Sequence, residues 1–280
     1  MKQAALYIVA TPIGNLADIS QRAVEVLANV DLIAAEDTRH SRYLLQHYNI
    51  RTAAQSYHEH NEEQQTPKLI EKLLAGTSIA LISDAGTPLL SDPGYRLVKA
   101  AHEAGITVVP IPGSCAAIAA LSASGLPTDR YCFYGFPPVK SVARKHFYES
   151  LSKIDSTLVF YESSHRVQAS LGDMVASFGG EREAVLAREL TKTFETIRKA
   201  TLAELYTWVS DSEQQRKGEF VLIVAGSRAE EEQSTTVEVG RLLQILLDEL
   251  PLSTASQLAA KITGMKKNQV YKIALEMQSI

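Results

Sequence analysis

Three short apolar runs most narrow what this chain can fold into. Ala5–Ala10, Ile79–Ile82 and Thr107–Ile111 each break off into a loop of small and turn-forming residues. Runs this short and this apolar read as strands covered on both faces. The loops are Thr11-Pro12-Ile13-Gly14-Asn15-Leu16, Ser83-Asp84-Ala85-Gly86-Thr87-Pro88 and Pro112-Gly113-Ser114-Cys115-Ala116. In an open α/β sheet they fall outside the carboxyl ends of strands, where ligands collect. Gly86 permits close backbone approach, while Ser83, Thr87 and Ser91 offer hydroxyls without bulk. A tight turn explains any one such loop. Three after different strands point to a slot for an adenosine-bearing ligand held mainly by backbone groups. No Gly-x-Gly-x-x-Gly follows the first strand and no Gly-Lys-Ser/Thr occurs, which disfavours dinucleotides and nucleoside triphosphates.

The remaining pattern alternates strands and helices, as in a mostly parallel, doubly wound sheet. Asp18 is placed to cap a helix through about Ala28, and Leu32–Ala35 forms a strand ending at Glu36-Asp37-Thr38-Arg39. Helices follow near Tyr43–Tyr48 and Lys68–Leu74, with a polar loop at Ser56–Asn61 between them. Pro93 opens the helix Tyr95–Ala104, and Ala117–Ala123 is a helix of small residues suited to close packing. Gly125–Asp129 marks a boundary, after which strands are expected at Tyr131–Phe136, Thr157–Tyr161, Ala184–Ala187, near Phe194–Ile197, and at Glu219–Val224. The predicted architecture is α/β: two lobes, 1–125 and 126–226, with a cleft between them. A solvated linker at 227–236 then leads to a small helical appendage over 237–280, punctuated by Pro251 and Gly264.

Bulk composition excludes little. A 280-residue chain with net charge −4 extends no broad invitation to nucleic acid, so RNA contact must come from local basic patches. Cys115 and Cys132 show neither metal-ligand spacing nor a disulfide framework, which fits a reducing cytoplasm. No apolar stretch reaches the roughly 18 residues a membrane span needs, so no membrane partner is expected.

Eight motifs in register, spanning residue 5 to about 226, resemble one family. They are the first two loops above, Pro112-Gly113 of the third, Glu36-Asp37-Thr38-Arg39, Phe160-Tyr161-Glu162-Ser163, His165-Arg166, Arg188-Glu189-Leu190-Thr191-Lys192 and Lys217-Gly218-Glu219. The family is the bacterial small-subunit ribosomal RNA cytidine 2′-O-methyltransferases, within the tetrapyrrole-methylase fold, and the helical tail is similar too. The resemblance implies S-adenosylmethionine as donor, the small ribosomal subunit's RNA as partner, and a homodimer. It would place the donor against Pro12, Ile13, Gly14, Asp84, Ala85, Gly86, Thr87, Pro88, Gly113, Ser114, Cys115 and Ala116, with Tyr161 and Glu162 closing the slot. Ser114 and Ser164 depart from the family pattern, which more often has proline at the first and proline or threonine at the second. Both keep a small side chain.

Displacement of a sulfonium methyl by a ribose hydroxyl needs collinear, dry positioning and profits from a general base. The candidates are Asp37, Glu36, His58, His60, Glu189, Glu195 and Lys192. Asp37 is first among them, with Glu36 beside it and Lys192 positioning the RNA. Arg39, Lys140, Arg144, Lys145 and Arg166 are the expected phosphate contacts, alongside Lys261, Lys266, Lys267 and Lys272 in the tail. His58 and His60 share a face in an extended segment, but no further ligand joins them, so no metal is expected. Two alternatives stand: methylation of a tetrapyrrole precursor on the same fold, and a non-catalytic RNA-binding assembly factor.

Overall fold

The computed structural model describes residues 4–227 and 229–278. The first lobe comprises β1 (Leu6–Val9), α1 (Gln21–Asn29), β2 (Leu32–Ala35), α2 (Thr38–His47), β3 (Ala54–Ser56), α3 (Glu62–Leu74), β4 (Ile79–Ile82), α4 (Tyr95–Glu103), β5 (Val108–Ile111) and α5 (Ala116–Ser122). Its strands run in the order β3-β2-β4-β1-β5 and every pairing is parallel. Alternation along β4 shows why the run is apolar throughout. Ile79 and Leu81 enter one core, with Leu6, Leu69 and Leu97. Ala80 and Ile82 enter another on the opposite face, with Val9, Leu27 and Ile33. The order also explains why the three loops meet. β4, β1 and β5 are neighbours, so their carboxyl ends lie side by side, and the end of β2 lies next to them.

The second lobe holds β6 (Tyr131–Phe133), α6 (Ser141–Leu151), β7 (Thr157–Ser163), α7 (Val167–Phe178), β8 (Glu183–Arg188), β9 (Thr196–Thr201), α8 (Leu202–Ser210) and β10 (Glu219–Val224). Its sheet order is β6-β7-β10-β8-β9, parallel only between β6 and β7. Ile13 and helix α5 of the first lobe share a core with the second sheet. Helix α5 places Ala117, Ala120 and Leu121 against Val159, Val185, Val221 and Ile223 of the second sheet. Met1–Glu149 with Thr157–Ala225 accordingly form one compact unit, whereas Ser150–Ser156 join Gly226–Ile280 in another. Small side chains let α5 lie close to that sheet.

In the second unit, α9 (Ala229–Glu249), α10 (Leu252–Thr263) and α11 (Lys267–Gln278) enclose Val239, Leu243, Ala259, Val270 and Ala274. The stretch expected as a linker is helical from Ala229 on. Leu258, Ile262 and Leu275 are exposed, while Val239, Leu243 and Val270 pack with two alanines in the interior.

Other boundaries moved for local reasons. Ser20, not Asp18, caps α1 by accepting from the Ala23 N–H, while Asp18 ends a short 3-10 turn capped by Asn15. The Asp37 cap starts α2 at Thr38. Helix α3 runs through Pro67 and begins at Glu62, and the three-residue edge strand β3 carries no apolar run to announce it. Strand β9 begins at Thr196, and Phe194 precedes it. Among the described residues no helix is long and apolar enough to cross a membrane.

Candidate active site

The three loops are tied to one another by backbone. Thr11 and Gly86 exchange N–H···O bonds in both directions, at 2.8 and 3.0 Å. The Thr11 hydroxyl donates to the Ser83 carbonyl at 3.2 Å, and the Thr87 hydroxyl donates to the Ser114 carbonyl at 3.0 Å. Gly86, at φ 86°, supplies the left-handed turn that this bridge requires. Leu89 and Ser91 are also left-handed, at φ 74° and 70°, as are Glu189 and Thr191 in the loop after β8, at 50° and 65°. Such strain collects where surrounding structure over-determines a site.

Two cavities adjoin here and share Ile13, Ala85 and Glu219. The first, about 340 Å³, is walled by Gly86, Thr87, Leu90, Cys115, Ala116, Phe136, Tyr161 and Val221, with Asp92, Glu162 and the shared Glu219 as its acids. The second, about 550 Å³, is lined by Thr11, Pro12, Gly14, Arg39, His40, Tyr43, Ser83, Asp84 and Lys192. Gly113, Ser114 and Pro88 line neither cavity. Gly113 abuts Ala10, where a Cβ would come within 2.9 Å of that residue's own, and Ser114 serves through its carbonyl. Strand β7 ends at the first cavity, where the Tyr161 hydroxyl accepts from the Ala117 N–H at 3.3 Å.

The carboxylates sort by environment. Asp37 lines neither cavity. Its side chain accepts from the Arg39 guanidinium and the Arg39 backbone N–H, which holds it well down, at about 2. A group so acidic is a poor proton acceptor at neutral pH. Glu36 is pushed up by burial, only partly offset by the Asp84 N–H that it accepts at 3.2 Å. Asp92 is pushed up to about 6, first by burial and then by the charges of Glu36 and Asp84, with the Ser83 hydroxyl opposing. No ion pair reaches Asp92 among the described residues.

That shift has a readable consequence. Between its ordinary 3.8 and about 6, folded Asp92 keeps a proton that the unfolded chain has released. Stability therefore falls as pH rises through that window and is flat in this group above it. Asp92→Asn is expected to flatten the slope. Guanidinium midpoints of both proteins at about pH 4 and pH 7 test this, and equal slopes would refute it.

Lys192 reaches the second cavity from the loop after β8. Burial pulls its ammonium down, but hydrogen bonds to Glu219 and Glu189, both 3.0 Å, outweigh that and raise it. It is a fixed cation and not a base. Gly14 lets this loop approach, because a Cβ there would sit 2.6 Å from Lys192 Cγ and 2.9 Å from the Leu190 carbonyl.

Of the expected phosphate contacts, Arg39, Lys140 and Lys145 are exposed. Arg144 is not. Arg144, Tyr148 and Leu151 form the inner stripe of α6, and the buried guanidinium binds Asp173 at 2.6 and 2.8 Å. Arg166 is likewise engaged, bonding the Pro137 carbonyl and pairing with Glu162 at 3.1 Å. Asp92, Phe136, Glu219, His40 and Tyr43 went unmarked as cavity residues. The helical spacing of Arg39 and Tyr43, four apart, was the available signal for the last. Among the described residues no group of three His, Cys, Asp or Glu could hold a metal ion.

A family profile described as Tetrapyrrole (Corrin/Porphyrin) Methylases matches residues 5–206, and one described as RsmI C-terminal HTH domain matches 233–278. The chain is 57% identical to Ribosomal RNA small subunit methyltransferase I of Vibrio cholerae, over 97% of this chain and 94% of the relative. It is also 57% identical to the protein of that name in Escherichia coli O157:H7, over 99% and 96%. A crystal structure of uroporphyrin-III C-methyl transferase from Thermus thermophilus complexed with S-adenyl homocysteine shares the fold, with TM-score 0.53 and 17% identity over 79% of this chain and 97% of that one. A tetrapyrrole-methylase core carrying a matching helical C-terminal domain, at this identity over nearly the full length, makes the chain a member of the ribosomal RNA small subunit methyltransferase I family.

Proposed function

We propose that this chain methylates the RNA of the small ribosomal subunit, using S-adenosylmethionine, at the ribose 2′-hydroxyl of a cytidine. The observation that carries the proposal is the pair of adjoining cavities, one apolar with a carboxylate that lacks a cation, the other lined by cations. The names of the relatives support the substrate class, and the motif resemblance supports the cytidine ribose.

The first cavity suits the donor. Its volume lies in the range of small-molecule sites. Asp92, half-buried without an ion pair among the described residues, suits a cationic ligand, and the backbone from Gly86 to Thr87, with Cys115, Ala116 and Tyr161, would hold the rest. When bound, the donor supplies a sulfonium methyl. The protein's share is to exclude water, orient the acceptor oxygen and take its proton. Asp84 faces the second cavity next to Ala85 at the seam, with its N–H held by Glu36 and its carboxylate accepting from the Asp37 N–H at 3.1 Å. It replaces Asp37 as the base we assign. Lys192 and Arg39 hold phosphates at the second cavity. Lys140 and Lys145 offer further phosphate contacts, as do the exposed Lys261, Lys266, Lys267 and Lys272 of the helical unit. We place the protein in the cytoplasm as a homodimer, which light scattering would test.

Asp84→Asn is expected to cost about 10²–10⁴-fold in single-turnover methyl transfer. Asp37→Asn should stay within about threefold, because asparagine caps a helix as well. The reverse order would return Asp37 to the role. The reaction itself is tested with labelled donor on small subunits from cells lacking this protein, followed by nuclease digestion and mass spectrometry. A methylated cytidine ribose is expected. Donor binding without transfer to subunits or RNA would overturn the proposal and favour a tetrapyrrole substrate, and no donor binding would favour an assembly factor.

A further inference from the structure

The second cavity carries an aromatic ring that the methyl-transfer chemistry does not use. Tyr43 stands on α2 with 70% of its surface exposed, yet it lines this cavity. Arg39 lies four residues earlier, on the same helical face and also in the cavity wall, and His40, Ser41 and Leu44 of the helix line it too. Lys192 contributes a cation from the second lobe, and Asp84 an acid at the seam. A planar ring beside a guanidinium, over a cavity of about 550 Å³, matches one nucleotide: a π-face for the base and a charge for the adjoining phosphate.

We infer that Tyr43 is the platform on which the base of the acceptor nucleotide stacks, turning its ribose toward Asp84 and the first cavity. This rests on the RNA-methylation proposal above and adds the residue that positions the substrate. Asp84 in the same cavity disfavours a ligand ringed by carboxylates, so the ring is better matched to a base than to a tetrapyrrole. Stacking tolerates any base, so Tyr43 would contribute affinity and orientation, with the choice of cytidine made elsewhere.

The test compares wild type, Tyr43→Ala and Tyr43→Phe in methyl transfer to unmethylated small subunits, with S-adenosylhomocysteine binding measured by calorimetry. Tyr43→Ala is expected to raise KM for subunits about 10- to 100-fold. Tyr43→Phe, which keeps the ring, should stay close to wild type, and both should bind the donor product normally. Wild-type KM and kcat in Tyr43→Ala would overturn the platform while leaving methylation standing. Equal losses in Ala and Phe would overturn it in favour of the hydroxyl. A weakened donor product in Tyr43→Ala would overturn it in favour of a structural role. If wild type binds the donor product and methylates no RNA, the functional proposal fails and the platform with it.

Discussion

Arg144→Met should lower stability by about 3–5 kcal/mol, although arginine in a basic helix invites assignment to RNA. The guanidinium is 4% exposed and binds Asp173 through two nitrogens, while a third donates to the Val139 carbonyl at 3.1 Å. The Ser141 hydroxyl lies 3.0 Å from both Asp173 oxygens, and Lys145 is 3.7 Å away. Removing the arginine strands a carboxylate that is only 10% exposed, and the more distant Lys145 can repay part of that loss. A guanidinium titration should show a lower midpoint with unchanged m. Arg144→Met with Asp173→Leu should recover much of it, since an apolar pair leaves no stranded charge. Lys140→Ala and Lys145→Ala should leave the midpoint near wild type and weaken RNA binding. An Arg144→Met protein with a normal midpoint and lost RNA affinity would overturn the structural role.

A large effect on turnover is also expected from one methyl group. Gly14→Ala would set a Cβ 2.6 Å from Lys192 Cγ, 2.7 Å from Thr191 Oγ1 and 2.9 Å from the Leu190 carbonyl. Lysine's methylenes can move, but a backbone carbonyl in a loop with left-handed residues cannot yield cheaply. The Asn15 N–H also donates to the Thr191 hydroxyl at 3.0 Å, so the two loops would part together. A displacement on the order of 1 Å at a positioning group costs about 10²-fold. We expect at least that loss in kcat/KM. Gly240→Ala, on a helix with open space around the new methyl, is the control and should be neutral or slightly stabilising. Normal turnover in Gly14→Ala would show that Lys192 does not position the acceptor.

The parallel sheet was legible because its strands are apolar on both faces and end in turn residues. β3 was not, since Ala54–Ser56 is an edge strand of three residues with little to bury. The donor loops were legible as loops, but their contact residues were only partly so. Gly113 and Ser114 turn to structural duty and the cavity passes to Cys115 and Ala116, a distinction of one residue that only the backbone path decides. Charge was the least legible property. Arg39, Arg144 and Arg166 look alike in sequence, yet one faces solvent, one is buried on Asp173 and one is pinned to Glu162. Asp92 escaped notice because its significance lies in desolvation, which no motif spells out.

The apolar seam along α5 bears on how the protein exchanges its ligands. Swinging the sheets apart would wet Leu121, Val159, Val185, Val221 and Ile223, each worth about 1.5–3 kcal/mol when buried. Parting α5 from the second sheet is therefore a costly route for traffic. Passage falls to the lip of the first cavity, where Leu90 and Phe136 are already 40% and 53% exposed. Exposed side chains of that kind change rotamer in picoseconds to nanoseconds. Donor and spent donor would thus trade places past two flickering side chains in a frame that stays still, leaving the slow steps of the cycle to the RNA.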